Sequence, residues 1–172
     1  FETGKYPKFF QIGGSSNDSK SWRAETGPDN GGYVLVAQGD ISANGTGKVF
    51  IRANNMQNKC GDWMHFVMTR TVDRENNKTE FSAYVNGEFI GSGSRDEIVE
   101  DNSSVCFGGS FWTDGANTYK GAFGAVRMYD AVMTADDVKN AYEAEAYLYK
   151  GISRYTILDV DVDNWDNTVD QW

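Results

Sequence analysis

From Trp63 onward, apolar and polar residues alternate with the period of two that marks half-buried strands. Along Trp63–Thr71, Met64, Phe66 and Met68 fall on one side and Trp63, His65 and Val67 on the other. Phe81, Ala83 and Val85 then alternate with Ser82 and Tyr84 up to Asn86-Gly87. Asn-Gly between two such runs predicts a tight hairpin, because both central turn residues need positive φ. The return strand is Glu88–Ser92. Charged residues 95–101 read as a loop before a short strand, Val105–Phe107, which Gly108-Gly109 ends. Ala122–Tyr129 reads as the last sheet strand. Thr134 is placed to cap a helix whose first turn holds Asp136 and Asp137, where carboxylates favour the free N–H groups. Val138, Ala141, Tyr142, Ala146 and Tyr149 recur at helical spacing, a stripe able to lie on a sheet. Gly151 ends it.

The N-terminal half is less regular. A short strand is expected near Phe9–Ile12, followed by a glycine turn. Residues 15–32 are polar and glycine-rich and read as a long loop carrying Trp22. Tyr33–Ala37 has apolar side chains on both faces of a strand. In Lys48–Ala53, Val49 and Ile51 alternate with Lys48, Phe50 and Arg52. The expected fold class is all-β: a two-sheet antiparallel β-sandwich of jelly-roll type with a short C-terminal helix. Residues 1–150 read as one domain and 151–172 as an acidic C-terminal extension.

Composition agrees. A chain of 172 residues buries one full core, and 19 glycines against two prolines suit a fold with many turns. The formal net charge of −9 repels nucleic-acid phosphates and anionic lipid, so neither is an expected partner. A cation, a neutral polymer or a basic protein face fits better. No apolar run approaches the ~20 residues of a membrane-spanning helix, so no membrane insertion is expected. Lacking an initial Met and a signal-peptide pattern, the sequence is read as a mature product or a fragment. Cys60 and Cys106 are the only cysteines, and they allow one mutual disulfide, separate bridges to other segments, or two buried thiols. Four N-x-S/T sites begin at Asn17, Asn44, Asn77 and Asn102, all in expected loops. They hint at a secreted glycoprotein.

Four segments in order carry a family likeness. Trp63–Thr69 is similar to a W-x-H-V-A-x-T strand, Tyr84–Gly87 to a Y-V-N-G hairpin and Phe107–Gly109 to an I-G-G strand end. Gly121–Thr134 is similar to a G-x-I-D-E-V-R-I-Y-N-x-x-L-S strand that runs into an acidic helix. The matching residues there include Gly121, Phe123, Val126, Arg127, Met128, Tyr129, Met133 and Thr134. Together they resemble the laminin-G-like, pentraxin-like branch of the concanavalin A-type lectin/glucanase jelly rolls, over roughly residues 5–147. Two departures stand out. Such domains usually carry about two strands before the point that matches Phe1, so upstream sequence or another segment is expected to complete the sheet. The tail run Tyr155–Leu158 is one candidate and a partner chain another. Where the family often has an Asp-Glu pair, this chain has Gly124-Ala125, so no role of those carboxylates transfers.

The resemblance implies a recognition module. Its glucan-cleaving relatives carry two catalytic glutamates in an E-x-D-x-x-E strand, as glycoside cleavage needs. No such run occurs here, and the acidic cluster 96–101 reads as a solvated loop, so no enzymatic activity is expected. His65 is the only histidine, which leaves no His triad or multi-His metal site and points to a packing or hydrogen-bonding role. Neither cysteine has a C-x-x-C neighbour, so a catalytic thiol is not expected. Aromatic residues in expected loops are the candidate ligand platform: Trp22, Phe111, Trp112 and Tyr119, with Asp114 and Asn117 placed to bond hydroxyls. In the tail, Asp159, Asp161, Asp163 and Asp170 fall at positions 1, 3, 5 and 12 of an EF-hand-style loop, the spacing for a calcium site. A solvated acidic tail is the plainer reading. Two functions follow. One is a non-catalytic carbohydrate-binding module of a larger extracellular, cell-surface or organelle-lumen protein; the other is a structural or protein-interaction subunit docking in an assembly. The partner is accordingly a glycan or a protein.

Overall fold

The computed structural model of the protein describes residues 7–13, 22–29, 32–38, 50–53, 62–99, 104–109, 118–119 and 121–150. They form eight strands and one helix. In chain order the elements are β1 (Lys8–Ile12), β2 (Trp22–Asp29), β3 (Gly32–Gln38), β4 (Phe50–Ala53), β5 (Phe66–Asp73), β6 (Lys78–Val85), β7 (Glu88–Arg95), β8 (Val105–Phe107) and α1 (Ala135–Tyr149). Two antiparallel sheets result, a five-stranded one ordered β4-β3-β2-β1-β8 and a three-stranded one ordered β5-β6-β7. This is the expected sandwich of jelly-roll type with one C-terminal helix.

The alternation read from the sequence builds the interior. Ile51 of β4 meets Phe81 and Ala83 of β6 and Val99 beyond β7, with Trp22, Phe66, Met68 and Ile90 packed around them. A second cluster joins Phe9 and Ala24 to Phe10, Met64, Phe66 and Tyr119. Met64, Phe66 and Met68 therefore all turn inward, as period two requires. Between Lys8 and Phe10 the register slips by one residue against β2. That bulge puts Phe9 and Phe10 on the same side, where both rings reach Phe66, at 6.0 and 6.3 Å.

Segment 96–99 closes one end of the interior. The Thr79 hydroxyl donates to the Glu97 carbonyl (2.8 Å) and accepts from the Val99 N–H (2.9 Å). Arg70 donates to the Val99 carbonyl (3.0 Å) while its guanidinium lies 5.2 Å from the Trp22 ring. Val99 is fully buried as a result.

The turns follow local chemistry. Asn86 and Gly87 have φ of +52° and +79°, the tight turn their dipeptide predicts. Asn77, one of the four sequon asparagines, sits in the β5–β6 turn at φ +50° and donates to the Asp96 carbonyl. In the same turn, both Asp73 carboxylate oxygens accept from Asn76, which holds the Asp73 carboxyl below its ordinary range.

Two expectations need correction. Residues 15–32 are not one long loop, because 22–29 form β2, paired on both sides with β1 and β3. Its composition, WRAETGPD, is poor for a strand, but Trp22 and Ala24 face the core while Arg23 and Glu25 face away. Pairing with two neighbours overrides propensity there. Ala122–Tyr129, expected to be the last sheet strand, has no strand partner among the described residues and is exposed along its whole length. Cys106, half-buried on β8, is a free thiol; Cys60 lies outside the described residues.

Candidate functional site

Helix α1 positions the segment that precedes it. Thr134 caps the helix through a reciprocal box: Asp137 N–H donates to Thr134 Oγ1 (3.2 Å), and Thr134 N–H and hydroxyl donate to Asp137 Oδ2 (2.8 and 2.6 Å). These bonds to the charged form hold the Asp137 carboxyl below its ordinary range. The stripe expected from sequence then docks. Val138 is fully buried. The Tyr142 ring lies 5.9 Å from the His65 ring, and Tyr149 lies 5.0 Å from Trp63. At Gly87 an added Cβ would stand 3.0 Å from Tyr142, so glycine serves both the turn and the helix contact.

His65 anchors the seam. Its backbone N–H donates to Asn86 Oδ1 (3.0 Å) and its carbonyl accepts from the Asn86 N–H (2.8 Å). Burial pushes its imidazole pKa below the ordinary 6.5, Glu145 opposes this in part, and Arg127 adds to it. Nδ1 of His65 and Nε1 of Trp63 have no hydrogen-bond partner among the described residues. Its ring packs against that of Tyr142.

Residues 121–130 run beside α1 in the opposite direction. Arg127 grips Glu145 with both terminal nitrogens, at 2.9 and 2.8 Å, a two-pronged pair. Three residues earlier, a Cβ on Gly124 would overlap the Tyr149 ring. At the first position of the Gly124-Ala125 departure from the Asp-Glu pattern, a side chain would therefore require the Tyr149 ring to move. Nothing local in the sequence signals it, because the ring comes from 25 residues downstream.

The rest of this segment faces outward. Phe123, Val126, Met128, Tyr129 and Val132 are all exposed, Met128 by 59% and Tyr129 by 61%; on α1, Tyr147 is 70% exposed and Leu148 about half exposed. Single exposed apolar residues are ordinary, but five large ones within ten positions are a concentration beyond that. The backbone of 121–130 adds to this, since it has no hydrogen-bonded strand beside it among the described residues.

A second cluster lies on the outer face of the five-stranded sheet. Glu25 Oε2 receives Lys8 Nζ at 3.1 Å and Arg23 Nε at 3.0 Å. Register puts Gln11 beside Arg23 on one side and beside Cys106 on the other. Lys8, Gln11, Arg23 and Glu25 are all buried. Two cations on one carboxylate hold each other's charge in a low-dielectric setting, the arrangement of a structural ion pair. The alternating Arg23 and Glu25 in WRAE were the available signal, hidden by the loop-like composition around them.

The expected platform residues are only partly described. Trp22 is on β2 rather than in a loop, with its ring 5.7 Å from Phe10 and 6.3 Å from Phe81. Tyr119 is half-buried, 5.1 Å from Phe9 and 5.2 Å from Phe123, and its N–H donates to the Gly108 carbonyl. Both rings thus make interior contacts. Phe111, Trp112, Asp114 and Asn117 lie outside the described residues, as do Asp159, Asp161, Asp163 and Asp170. Among the described residues no three His, Cys, Asp or Glu side chains converge as metal ligands would, and no helix is long and apolar enough to cross a membrane.

No curated protein and no solved structure matches the chain significantly. The laminin-G profile of the concanavalin A-like lectin/glucanases superfamily matches residues 3–139. By that match, and by the two-sheet sandwich that carries it, the chain belongs to the laminin-G-like concanavalin A-type family.

Proposed function

We propose that this domain is a non-catalytic module that recognises a protein partner within a larger assembly, through the face made by residues 121–132 and the C-terminal half of α1. Family membership supports a recognition module in general terms but does not choose between sugar and protein, because one fold hosts both. The observation that favours protein is the run of five exposed apolar side chains from Phe123 to Val132 on backbone that has no strand neighbour among the described residues. A sugar platform instead needs flat rings open to solvent, and Trp22 and Tyr119 are engaged inside. The location that goes with this reading is extracellular, at the cell surface or in an organelle lumen, where domains of this family commonly act.

A photo-crosslinking residue at Tyr129, compared with one at the exposed Phe89 on β7, tests the proposal. A protein adduct should form at 129 and not at 89, and Met128→Glu should abolish it. Equal labelling at both positions rejects the docking face. A glycan array run with and without calcium tests the carbohydrate reading: a signal lost in Trp112→Ala would replace the protein proposal with a lectin one.

A further inference from the structure

We propose that Asn77 carries an N-linked glycan, attached before β6 takes its place in the sheet. The inference stands apart from the docking face. Asn77-Lys78-Thr79 is an acceptor sequence with no proline in the middle. The other three acceptor asparagines, Asn17, Asn44 and Asn102, lie outside the described residues.

The asparagine is placed to hold a sugar. It ends the β5–β6 turn, and it is exposed together with Arg74, Glu75 and Asn76 before it. Its φ of +50° is the left-handed conformation that asparagine tolerates. Nδ2 carries two hydrogens. One is given to the Asp96 carbonyl at 3.3 Å, a long hydrogen bond. Transfer from a lipid-diphosphate oligosaccharide replaces the other. Nδ2 bonds to the anomeric carbon, whose bond to the diphosphate oxygen breaks. The lipid diphosphate leaves with that electron pair, and the amide proton passes to a base of the transferase. The product keeps one N–H for the Asp96 carbonyl. A bulky, solvated substituent then sits on a surface turn, where it costs no packing.

The hydroxyl two residues on sets the order of events. Transferases read it as part of the acceptor, yet Thr79 is fully buried in the folded chain. Its Oγ1 donates to the Glu97 carbonyl at 2.8 Å and accepts from the Val99 N–H at 2.9 Å. Lys78 and Thr79 are also in register with Asp73 and Val72 of β5, and Thr79 with Arg95 of β7. The folded domain therefore shows the asparagine and hides the hydroxyl. Transfer belongs to the unpaired chain, and folding afterwards reuses the same hydroxyl to hold segment 96–99.

The topology also keeps the glycan away from the helix. β6 is eight residues long, about 26 Å. Asn77 precedes one end of it, and Gly87, which meets Tyr142 of α1, follows the other. The sugar lies at the end of the three-stranded sheet remote from that contact.

The full chain, secreted from eukaryotic cells, tests occupancy. Treatment with peptide N-glycosidase in heavy-oxygen water marks every asparagine that carried a glycan, and mass spectrometry of the peptides locates the mark. Position 77 should be marked in the parent and in Thr79→Ser, which keeps both acceptor and hydroxyl. The mark should be lost in Thr79→Val and in Asn77→Gln. An unmarked position 77 in the parent overturns the proposal and leaves Asn77 as a turn residue alone. The order of events is read on the folded, glycan-free full chain from bacteria and on a peptide of residues 72–82. Each is given purified transferase and lipid-linked donor. The peptide should be converted while the folded chain yields no product at position 77, because its hydroxyl is presented only when β6 opens. Equal rates in the two overturn the claim that transfer precedes folding.

Discussion

Replacing Thr79 by Val keeps the shape of the side chain and removes the hydroxyl that latches segment 96–99 over the core. Two hydrogen bonds disappear, to the Glu97 carbonyl and from the Val99 N–H. Each contributes about 1 kcal/mol net, and a Val99 N–H left buried without an acceptor costs roughly 1–3 kcal/mol. Arg70 still holds the Val99 carbonyl, so the segment is weakened rather than released. The expected loss is about 2–3 kcal/mol, which for a chain of this size lowers Tm by roughly 5–10 °C. Thr79→Ser keeps both bonds and gives up one methyl, about 1 kcal/mol. Urea unfolding of the three proteins gives the comparison, provided the slope m is shared. In the native state the Val99 amide should exchange much faster in Thr79→Val alone. If Thr79→Val lies within about 0.5 kcal/mol of the parent, the latch is not a stabilising element, and burial of Val99 must have another cause.

Three further outcomes are expected. Trp22→Ala should cost about 3 kcal/mol in a thermal melt, because the ring packs between the sheets; an unchanged Tm would return Trp22 to the surface. Gly87→Ala should cost about 1–2 kcal/mol for its left-handed backbone, and less in a Tyr142→Ala background, since part of the penalty is contact with that ring; an identical cost in both backgrounds means that α1 does not press on the turn. The unfolded His65 imidazole titrates near 6.5 and the folded one lower, so the unfolded chain takes up the proton first as pH falls. Stability from His65 is complete above about pH 6.5, declines as pH drops below it, and levels off once the folded ring also titrates. His65→Phe should flatten this part of the pH profile relative to the parent, and parallel profiles from pH 7.5 to 5.5 would refute it.

The candidate site was half legible. Its helical part was written in spacing: Thr134 and Asp137 three apart, and Val138, Tyr142 and Tyr149 on one stripe, all of which dock as expected. The setting of Trp22 was not, because a tryptophan in a polar stretch looks the same whether it lies in a loop or on an inner strand. Arg23 and Glu25 become meaningful only when β1 brings Lys8 alongside.

What the residues determine on their own is whatever a few neighbours decide among themselves. Asn86-Gly87 turns because its two φ angles must be positive; Met64, Phe66 and Met68 share a face because strands alternate; Thr134 caps because its hydroxyl meets an N–H three residues on. Contacts across the chain decided the remainder. β2 exists because two other strands pair with it, Gly124 lies against the Tyr149 ring that arrives from the far end of α1, and 121–130 has no strand beside it among the described residues. Pairing and packing between distant segments depend on the closure of the whole fold, and no local window of sequence contains that information.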